Sequence, residues 1–386
     1  MQENFRQFLD RLRQTGELVD LHQAVDIRHI ATLVDQAKTA LFFHNVIGYD
    51  MPVVSGIIRS RERAMMSLGA ETYREIEDKL SAAIAKPIPP KHVKTSPTRE
   101  VVMTGDEVDL YKIPIPMSSI YDGGPMITAG VVIARDPELG INSGIYRFIV
   151  KEKNLTGIDI VTPNNMRMYA QRAYEAGRVC AISISIGTHP IEIMGANFRA
   201  PIGVDEMGIT GGIRGVAVEL AQCETIDMPC VANAEMVLEG EILPTGWTNP
   251  EGRFGEFTRL MGGLHWNPLV RIKAVTMRRD PIYYALHMPW ENTWLAALSV
   301  LDLKHVVVVD DDIDVHNAMD VEWAIATRVQ GDKDVIVIPG ARAKPLDPSL
   351  AVMPHGVVPT GAKVGIKQLG KKPLVLIVSY PVEKKP

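Results

Sequence analysis

Between about residue 100 and residue 300, Gly and Pro break the chain into short β-branched or alternating runs, and this spacing restricts the fold more than any other feature. GVVIARD, YRFIVKE, CAISISIG, LVRIKAVTM and PIYYALHM each suit a single strand. Their succession predicts an antiparallel barrel or sandwich interrupted by helices. MRMYAQRAYEAG (Met166 to Gly177) and GGIRGVAVELAQ are the best helical candidates. Upstream, residues 1 to about 90 read as mostly helical with short strands. Phe5, Phe8, Leu9 and Leu12 fall at i, i+3, i+4 and i+7 with charges between them, the pattern of an amphipathic helix. Pro87, Pro89 and Pro90 cannot lie inside a helix, so a boundary is placed there. Downstream, HVVVVDDDID and AMDVEWAIATRV read as a buried strand, an acidic turn and a helix with Asp320 as N-cap.

A length of 386 residues suggests two or three domains. With 46% hydrophobic and 23% charged residues and a net charge of -5, the chain has no basic stripe to neutralise phosphates, so nucleic acid is not expected as a partner. The longest apolar runs, near Val131 and Leu374, are too short to span a bilayer, and the N-terminus lacks a signal-peptide block. The expected compartment is the cytoplasm. The three cysteines, Cys180, Cys223 and Cys230, have neither disulfide nor zinc-ligand spacing. GxGxxG after a strand, GxxxxGK[ST], HExxH and GxSxG are all missing, which removes dinucleotide dehydrogenases, P-loop enzymes, zincins and α/β-hydrolases. GITGGIRG (Gly208 to Gly215) reads as a tight turn before a helix rather than a phosphate cradle. Asp310, Asp311, Asp312 and Asp314 read as a solvated strand end with capping side chains rather than a metal site.

Two segments concentrate polar groups in strand-like surroundings. In INSGIYRFIVKEKNLTGIDIVTPNN, Asn142 and Arg147 lie five apart, so they share a face only if a bulge at Ser143-Gly144 interrupts the alternation. An arginine there suits two-point binding of a carboxylate, against the plainer alternative of a surface ion pair. In NAEMVLEGEI and NPEGRFGEF, Glu251 and Glu256 flank a Gly-Arg-Phe-Gly turn that can bring two carboxyls together, raise one pKa and leave an acid able to deliver a proton at neutral pH. Glu235, between Ala234 and Met236, is costly to bury unpaired and invites a cation.

Together, Asn142-Ser-Gly-Ile-Tyr-Arg147, Glu235-Met-Val-Leu-Glu-Gly240 and Glu251-Gly-Arg-Phe-Gly-Glu256 resemble the motifs of the UbiD family of decarboxylases, which use prenylated FMN. LTGI (Leu155 to Ile158), AQCETIDMPCVANAE and VVVVDDDIDV extend the resemblance over roughly residues 5 to 365. It implies an α+β fold. A flavin-reductase-like split β-barrel core (residues 101–300) would bind prenylated FMN, preceded by an N-terminal α/β region (1–100) and followed by a C-terminal α/β oligomerisation domain (301–386). Arg147, Glu251 and Glu256 would form the catalytic triad, with Arg147 orienting the substrate carboxylate and Glu256 donating the proton. Asn142 and Glu235 would hold a divalent metal, usually manganese, beside the cofactor phosphate. Asn142, Ile145, Tyr146, Arg147, Asn164, Asn165, Glu235 and Lys363 would contact the cofactor, and a potassium ion belongs to the same scheme.

The resemblance also implies a small carboxylic acid substrate, a flavin prenyltransferase as cofactor supplier and a homo-oligomer, dimer or hexamer. This sequence departs from the family in three places. Asn165 stands where some members carry a histidine ligand; the stretch between Trp294 and Val306 is short; and the chain after Ile366 differs, so the C-terminal domain is expected to be shortened. The expected activity is reversible non-oxidative decarboxylation of an aromatic, heteroaromatic or α,β-unsaturated acid. A non-catalytic or accessory subunit of a larger complex is the alternative. His287, Met288, Trp290 and Trp294 are candidates for a pocket wall that suits a flat ring, such as a furan or pyrrole carboxylate.

Overall fold

Asn4 opens α1 (Phe5–Gln14) with a capping box in which Asn4 and Gln7 satisfy each other's backbone N–H groups. Phe5, Phe8, Leu9 and Leu12 are all buried, as their spacing predicts. The computed structural model describes residues 3–256, 261–286, 305–309, 312–315, 317–342 and 360–367. The chain divides into two units, Met1–Ser299 and Val300–Pro386.

In the first unit, α1 is followed by β1 (Leu18–Val25), α2 (Ile30–Gln36), β2 (Ala40–Val46), β3 (Val53–Ser55), α3 (Arg61–Leu68) and α4 (Tyr73–Ala85). β1 and β2 are parallel and β3 runs antiparallel to β2. Then come β4 (Lys91–Val93), β5 (Val101–Thr104), β6 (Met126–Ile127), β7 (Gly130–Asp136), β8 (Gly140–Ile145), β9 (Phe148–Glu152), β10 (Leu155–Gly157) and α5 (Asn165–Glu175). They continue into β11 (Cys180–Ile186), α6 (Pro190–Ala196), α7 (Glu206–Arg214), β12 (Glu219–Gln222), β13 (Pro229–Val231) and β14 (Met236–Ile242). The unit ends with β15 (Asn249–Glu251), β16 (His265–Asn267), β17 (Leu269–Met277) and β18 (Tyr283–Ala285).

The central sheet has nine strands in the order β6-β9-β10-β17-β14-β11-β7-β8, with β5 also paired to β17, and every pairing is antiparallel. β8 lies at one edge and β9 next to the other, yet only Tyr146 and Arg147 join them. From Ile145 to Phe148 the chain reaches about 11 Å, whereas the six flat strand spacings between β9 and β8 measure about 29 Å. The sheet therefore curls until its edges nearly meet, and Tyr146 and Arg147 bridge the seam. Buried apolar side chains line both faces: Val131, Ile133 and Val237 belong to one core, and Val132, Ile184, Leu238 and Ile272 to the other.

Four local expectations are corrected. β7 and β8 pair without interruption from Val131↔Ile145 to Asp136↔Gly140, so no bulge forms at Ser143-Gly144; Arg147 escapes the alternation because the strand ends at Ile145. The strand from PIYYALHM, β18, pairs in parallel with β3 of the N-terminal sheet rather than joining the curled one. GITGGIRG is not a turn before a helix but most of α7 itself, which Gly215 ends in the left-handed conformation; the following ELAQ is β12. Its glycines are there for packing: a Cβ on Gly212 would lie 2.8 Å from Ala83 Cα, and one on Gly211 would lie 2.5 Å from the Ile88 carbonyl oxygen.

The second unit contains β19 (His305–Val308), α8 (Ala318–Arg328), β20 (Val335–Arg342) and β21 (Thr360–Lys367), with the strands ordered β19-β21-β20. Its core gathers Val307, Val309, Ile313, Val321 and Ala324. Asn317, not Asp320, caps α8, its side chain accepting from Met319 N. Asp312 pairs with Arg328 at 2.7 Å, while Asp310 and Asp311 lie outside the described residues.

Replacing an exposed helical glycine by alanine normally stabilises by about 1 kcal/mol. Gly212→Ala should instead destabilise by about 1–2 kcal/mol in denaturant unfolding, because overpacking against α4 outweighs helix propensity.

Candidate active site

Arg147 at the seam gathers three carboxylates. Its Nε and Nη2 donate to the two oxygens of Glu251 at 3.3 and 3.2 Å, Nη1 donates to Glu256, and Nη2 lies 2.8 Å from Asp159 Oδ2. Glu251 is the last residue of β15 and is wholly buried; it sits over Gly157, where a Cβ would come within 3.2 Å of its Cγ. Glu256 follows on the turn after β15. That turn is tied down by Asp122, whose Oδ1 accepts from Gly255 N at 3.2 Å while its Oδ2 accepts from Ser118 and Ser119 N at 2.9 Å each. The Phe254 ring lies 5.1 Å from the guanidinium carbon. Burial pushes the Glu251 carboxyl up to about 7, with the Asp159 charge adding to the rise and Arg147 opposing it. The raised acid is thus Glu251, and burial outweighs like-charge repulsion in raising it.

A second polar group is built from β8 and the start of α7. Asn142, on β8, is buried and its Nδ2 has no hydrogen-bond partner among the described residues; the same is true of Ser143 Oγ. Tyr146 folds back over Gly144, where a Cβ would fall 2.6 Å from the ring. Burial keeps its phenol protonated. Beside them Glu206, the first residue of α7, accepts from Ser143 N at 2.8 Å and has no ion-pair partner among the described residues; burial raises its carboxyl to about 8. The orphan donor of Asn142, next to a buried acid with no cation beside it among the described residues, fits a phosphate accompanied by a cation.

Three family profiles match the chain in order. Residues 9–80 match the 3-octaprenyl-4-hydroxybenzoate carboxy-lyase N-terminal domain, 91–289 its Rift-related domain and 286–367 its C-terminal domain. The chain belongs to the UbiD family. It is 32% identical to an anhydromevalonate phosphate decarboxylase of Methanothermobacter thermautotrophicus, over 94% of this chain and 95% of that protein. Among solved structures, the UbiD-class enzyme HmfF of Pelotomaculum thermopropionicum in complex with FMN is 31% identical with a TM-score of 0.83, covering 95% of this chain and 94% of that one. An evolved dimeric form of HmfF in complex with prenylated FMN is 30% identical, with a TM-score of 0.82 and the same coverage of both chains. The vanillic acid decarboxylase of Sedimentibacter hydroxybenzoicus in its closed form is 26% identical, with a TM-score of 0.85 over 95% of this chain and 92% of that chain. The mixed α+β fold with its curled sheet is that of UbiD-class enzymes, and this chain is a UbiD-family carboxy-lyase.

The UbiD resemblance placed one residue wrongly. Glu235 just precedes β14, fully buried, and both its oxygens are occupied. Arg6 donates to them at 2.8 and 2.7 Å, Ile282 N donates at 3.1 Å and Arg278 Nε lies 3.3 Å away. The cations that its burial demanded are arginines, so its carboxylate has no edge left for a metal. Asn142 and Glu235 also lie apart in the sheet: Asn142 pairs with Ala134, Ala134 with Ile182 and Ile182 with Gly240, five residues along from Glu235.

Asn164 is exposed and caps α5, accepting from Arg167 N at 2.8 Å, while Asn165 is half-buried in the first turn of that helix. Ile145 ends β8, opposite Val131. Lys363 lies on β21 of the second unit, opposite Ile338. His287, Met288, Trp290 and Trp294 lie outside the described residues. Among the described residues no group of three or more His, Cys, Asp or Glu is placed to hold a metal, and no helix is long and apolar enough to cross a membrane.

Asp159, Asp122 and Glu206 escaped the sequence reading. Asp159 carries the same signal as Glu235, an acid between apolar residues, since Ile158 and Ile160 are both buried. Glu206 stands at a legible helix start, behind the Asp205 cap.

Glu206 has an ordinary value of 4.5 and a folded value of about 8, so between these limits the folded state binds more protons than the unfolded one. Stability from this group is present below pH 4.5 and is lost as pH rises through 8. In metal-free protein, Glu206→Gln should therefore lose less stability than wild type between pH 5 and 8 in denaturant titrations; parallel pH curves would contradict the assignment.

Proposed function

We propose that this chain catalyses reversible, prenylated-FMN-dependent decarboxylation of an aromatic, heteroaromatic or α,β-unsaturated carboxylic acid. The observation that carries the reading is the convergence of Arg147, Glu251 and Glu256 at the seam of the curled sheet, with the orphan donor of Asn142 on β8. Loss of CO2 from an sp2 carbon leaves an electron pair that no side chain can stabilise; prenylated FMN, when bound, supplies the electron sink.

The chain's own residues bind, orient and move the proton. Arg147 takes the substrate carboxylate, its guanidinium held in one plane by the paired Glu251 contacts. Glu256, released from Nη1 as the substrate enters, donates its proton to the carbon that has lost CO2. Asn142 Nδ2 would donate to the cofactor phosphate, and Ile145 and Tyr146 would contact the cofactor. Glu206, with Asn142 and Asn165 as amide partners, would hold a divalent metal such as manganese, cancelling its own uncompensated charge against the phosphate. A potassium ion is given no residue of its own. A flavin prenyltransferase supplies the cofactor, and the protein acts as a cytoplasmic homo-oligomer.

The test is co-expression with a flavin prenyltransferase followed by CO2 release from a panel of unsaturated acids. Furan, pyrrole and phenolic carboxylates belong on the panel, with a phosphorylated branched acid because of the named relative. Glu256→Gln should retain the flavin spectrum and lose at least about a hundredfold in kcat, the usual scale for a general acid. Arg147→Lys, which cannot form a two-point fork, should raise KM and lower kcat together. A Glu256→Gln enzyme as fast as wild type would remove the proton-donor role. Asn142→Ala should lower the flavin retained per chain after gel filtration, read by absorbance.

A further inference from the structure

Arg147 is held by more negative charge than the two expected glutamates bring. Asp159 Oδ2 lies 2.8 Å from Nη2, closer than either Glu251 contact, and Asp159 N donates to the Arg147 carbonyl at 3.2 Å, so backbone and side chain both clasp the same residue. The rest of Asp159 is fixed from behind. Its Oδ1 accepts from Val161 N at 3.3 Å and lies 3.5 Å from Asn267 Nδ2, and the buried Asn267 accepts from Ile160 N at 3.0 Å.

We propose that Asp159 is a positioning residue for Arg147: it pins the Nη2 edge of the guanidinium and adds the negative charge that makes the cluster keep a proton.

The groups facing Asp159 and Arg147 can be named element by element. Arg147 comes from the β8–β9 link, Lys151 from β9, Glu251 from β15 and Glu256 from the turn beyond it. Asp122, bonded to three backbone N–H groups, acts on Arg147 from the loop before β6. His265 of β16 is opposite Glu251 in register, and Arg167 of α5 donates to the Ile160 and Val161 carbonyls beside Asp159. Glu251, Glu256 and Asp159 contact Arg147, and Lys151 acts on Glu251 through space, so these five groups leave one negative charge in excess. A buried carboxyl cluster in excess relieves the repulsion by holding a proton. With Asp159 neutral the count balances, and the proton is released at lower pH. The catalytic consequence rests on the decarboxylase reading; the electrostatic one does not.

The experiment is a 13C-carboxyl NMR titration of the full chain, purified with its flavin and glutamate-labelled, with the Glu251 signal assigned through Glu251→Gln. Wild type should titrate near 7. Asp159→Asn should move that midpoint down by about one unit or more, the scale of a nearby charge, and Asp159→Glu should restore most of it. If Asp159→Asn does not accumulate as folded protein, Asp159→Ser carries the same expectation. A folded charge-neutral variant with an unmoved midpoint would overturn the proposal. In active enzyme, Asp159→Asn should lower kcat/KM about ten- to a hundredfold and shift the alkaline limb of the pH profile to lower pH; an unchanged limb would overturn the catalytic part. A shifted midpoint in a chain that releases CO2 from no acid would sink the decarboxylase reading and leave Asp159's role standing. CO2 release with unmoved titration would do the reverse.

Discussion

The two-residue link between β8 and β9 is the constraint on which the rest of the first unit depends. An edge strand and the strand next to the opposite edge are joined by Tyr146 and Arg147 alone, so the sheet has no flat solution. Closure brings Arg147 out of the strand alternation and into reach of groups that are remote in sequence: Asp159 beyond β10, Glu251 at the end of β15 and Glu256 on the following turn. Small residues make the approach possible. Gly144 leaves room for the Tyr146 ring and Gly157 for Glu251, and a Cβ at either position would meet the neighbour below normal contact distance or at its limit.

Buried acids are handled in three different ways in the same unit. Glu235 is neutralised by Arg6 and Arg278, which also fastens α1 to the curled sheet. Glu239 is satisfied by neutral donors, the Glu224 and Thr225 N–H groups and the Thr225 hydroxyl. Glu251 and Glu206 have neither solution in full, and burial raises both carboxyls. An acid left uncompensated in the interior costs stability, so groups of this kind mark where a ligand, a metal or a moving proton completes the charge balance. By that criterion Glu206 and Glu251 are the acids for which a functional role is proposed, whereas Glu235 is already neutralised by its arginines.

Local patterns were legible wherever one residue type decides the outcome. The α1 stripe and α5 follow from helical periodicity, each burying one face, while β7, β11 and β17 follow from short β-branched runs that suit strands covered on both faces. The reading failed where tertiary packing sets the meaning of a residue. The glycines of GITGGIRG form a helix because α4 presses on them at Ala83, and a tight turn cannot be distinguished from close helix packing without that neighbour. Likewise β18 leaves the series of strands around it for the N-terminal sheet, through pairing with β3 that no local signal encodes.

Sequence alone determined the family, the mixed α+β class and the chemistry available, since the types and spacings of Asn142, Arg147, Glu251 and Glu256 are covalent facts. Only the tertiary structure decided which acid serves which partner. Ion pairing and desolvation depend on distances between segments more than a hundred residues apart, such as Arg147 with Glu251 and Arg6 with Glu235. Those distances are set by the curl of the sheet. It directs Glu235 to arginines, places Glu206 beside Asn142 and brings Asp159 against Arg147.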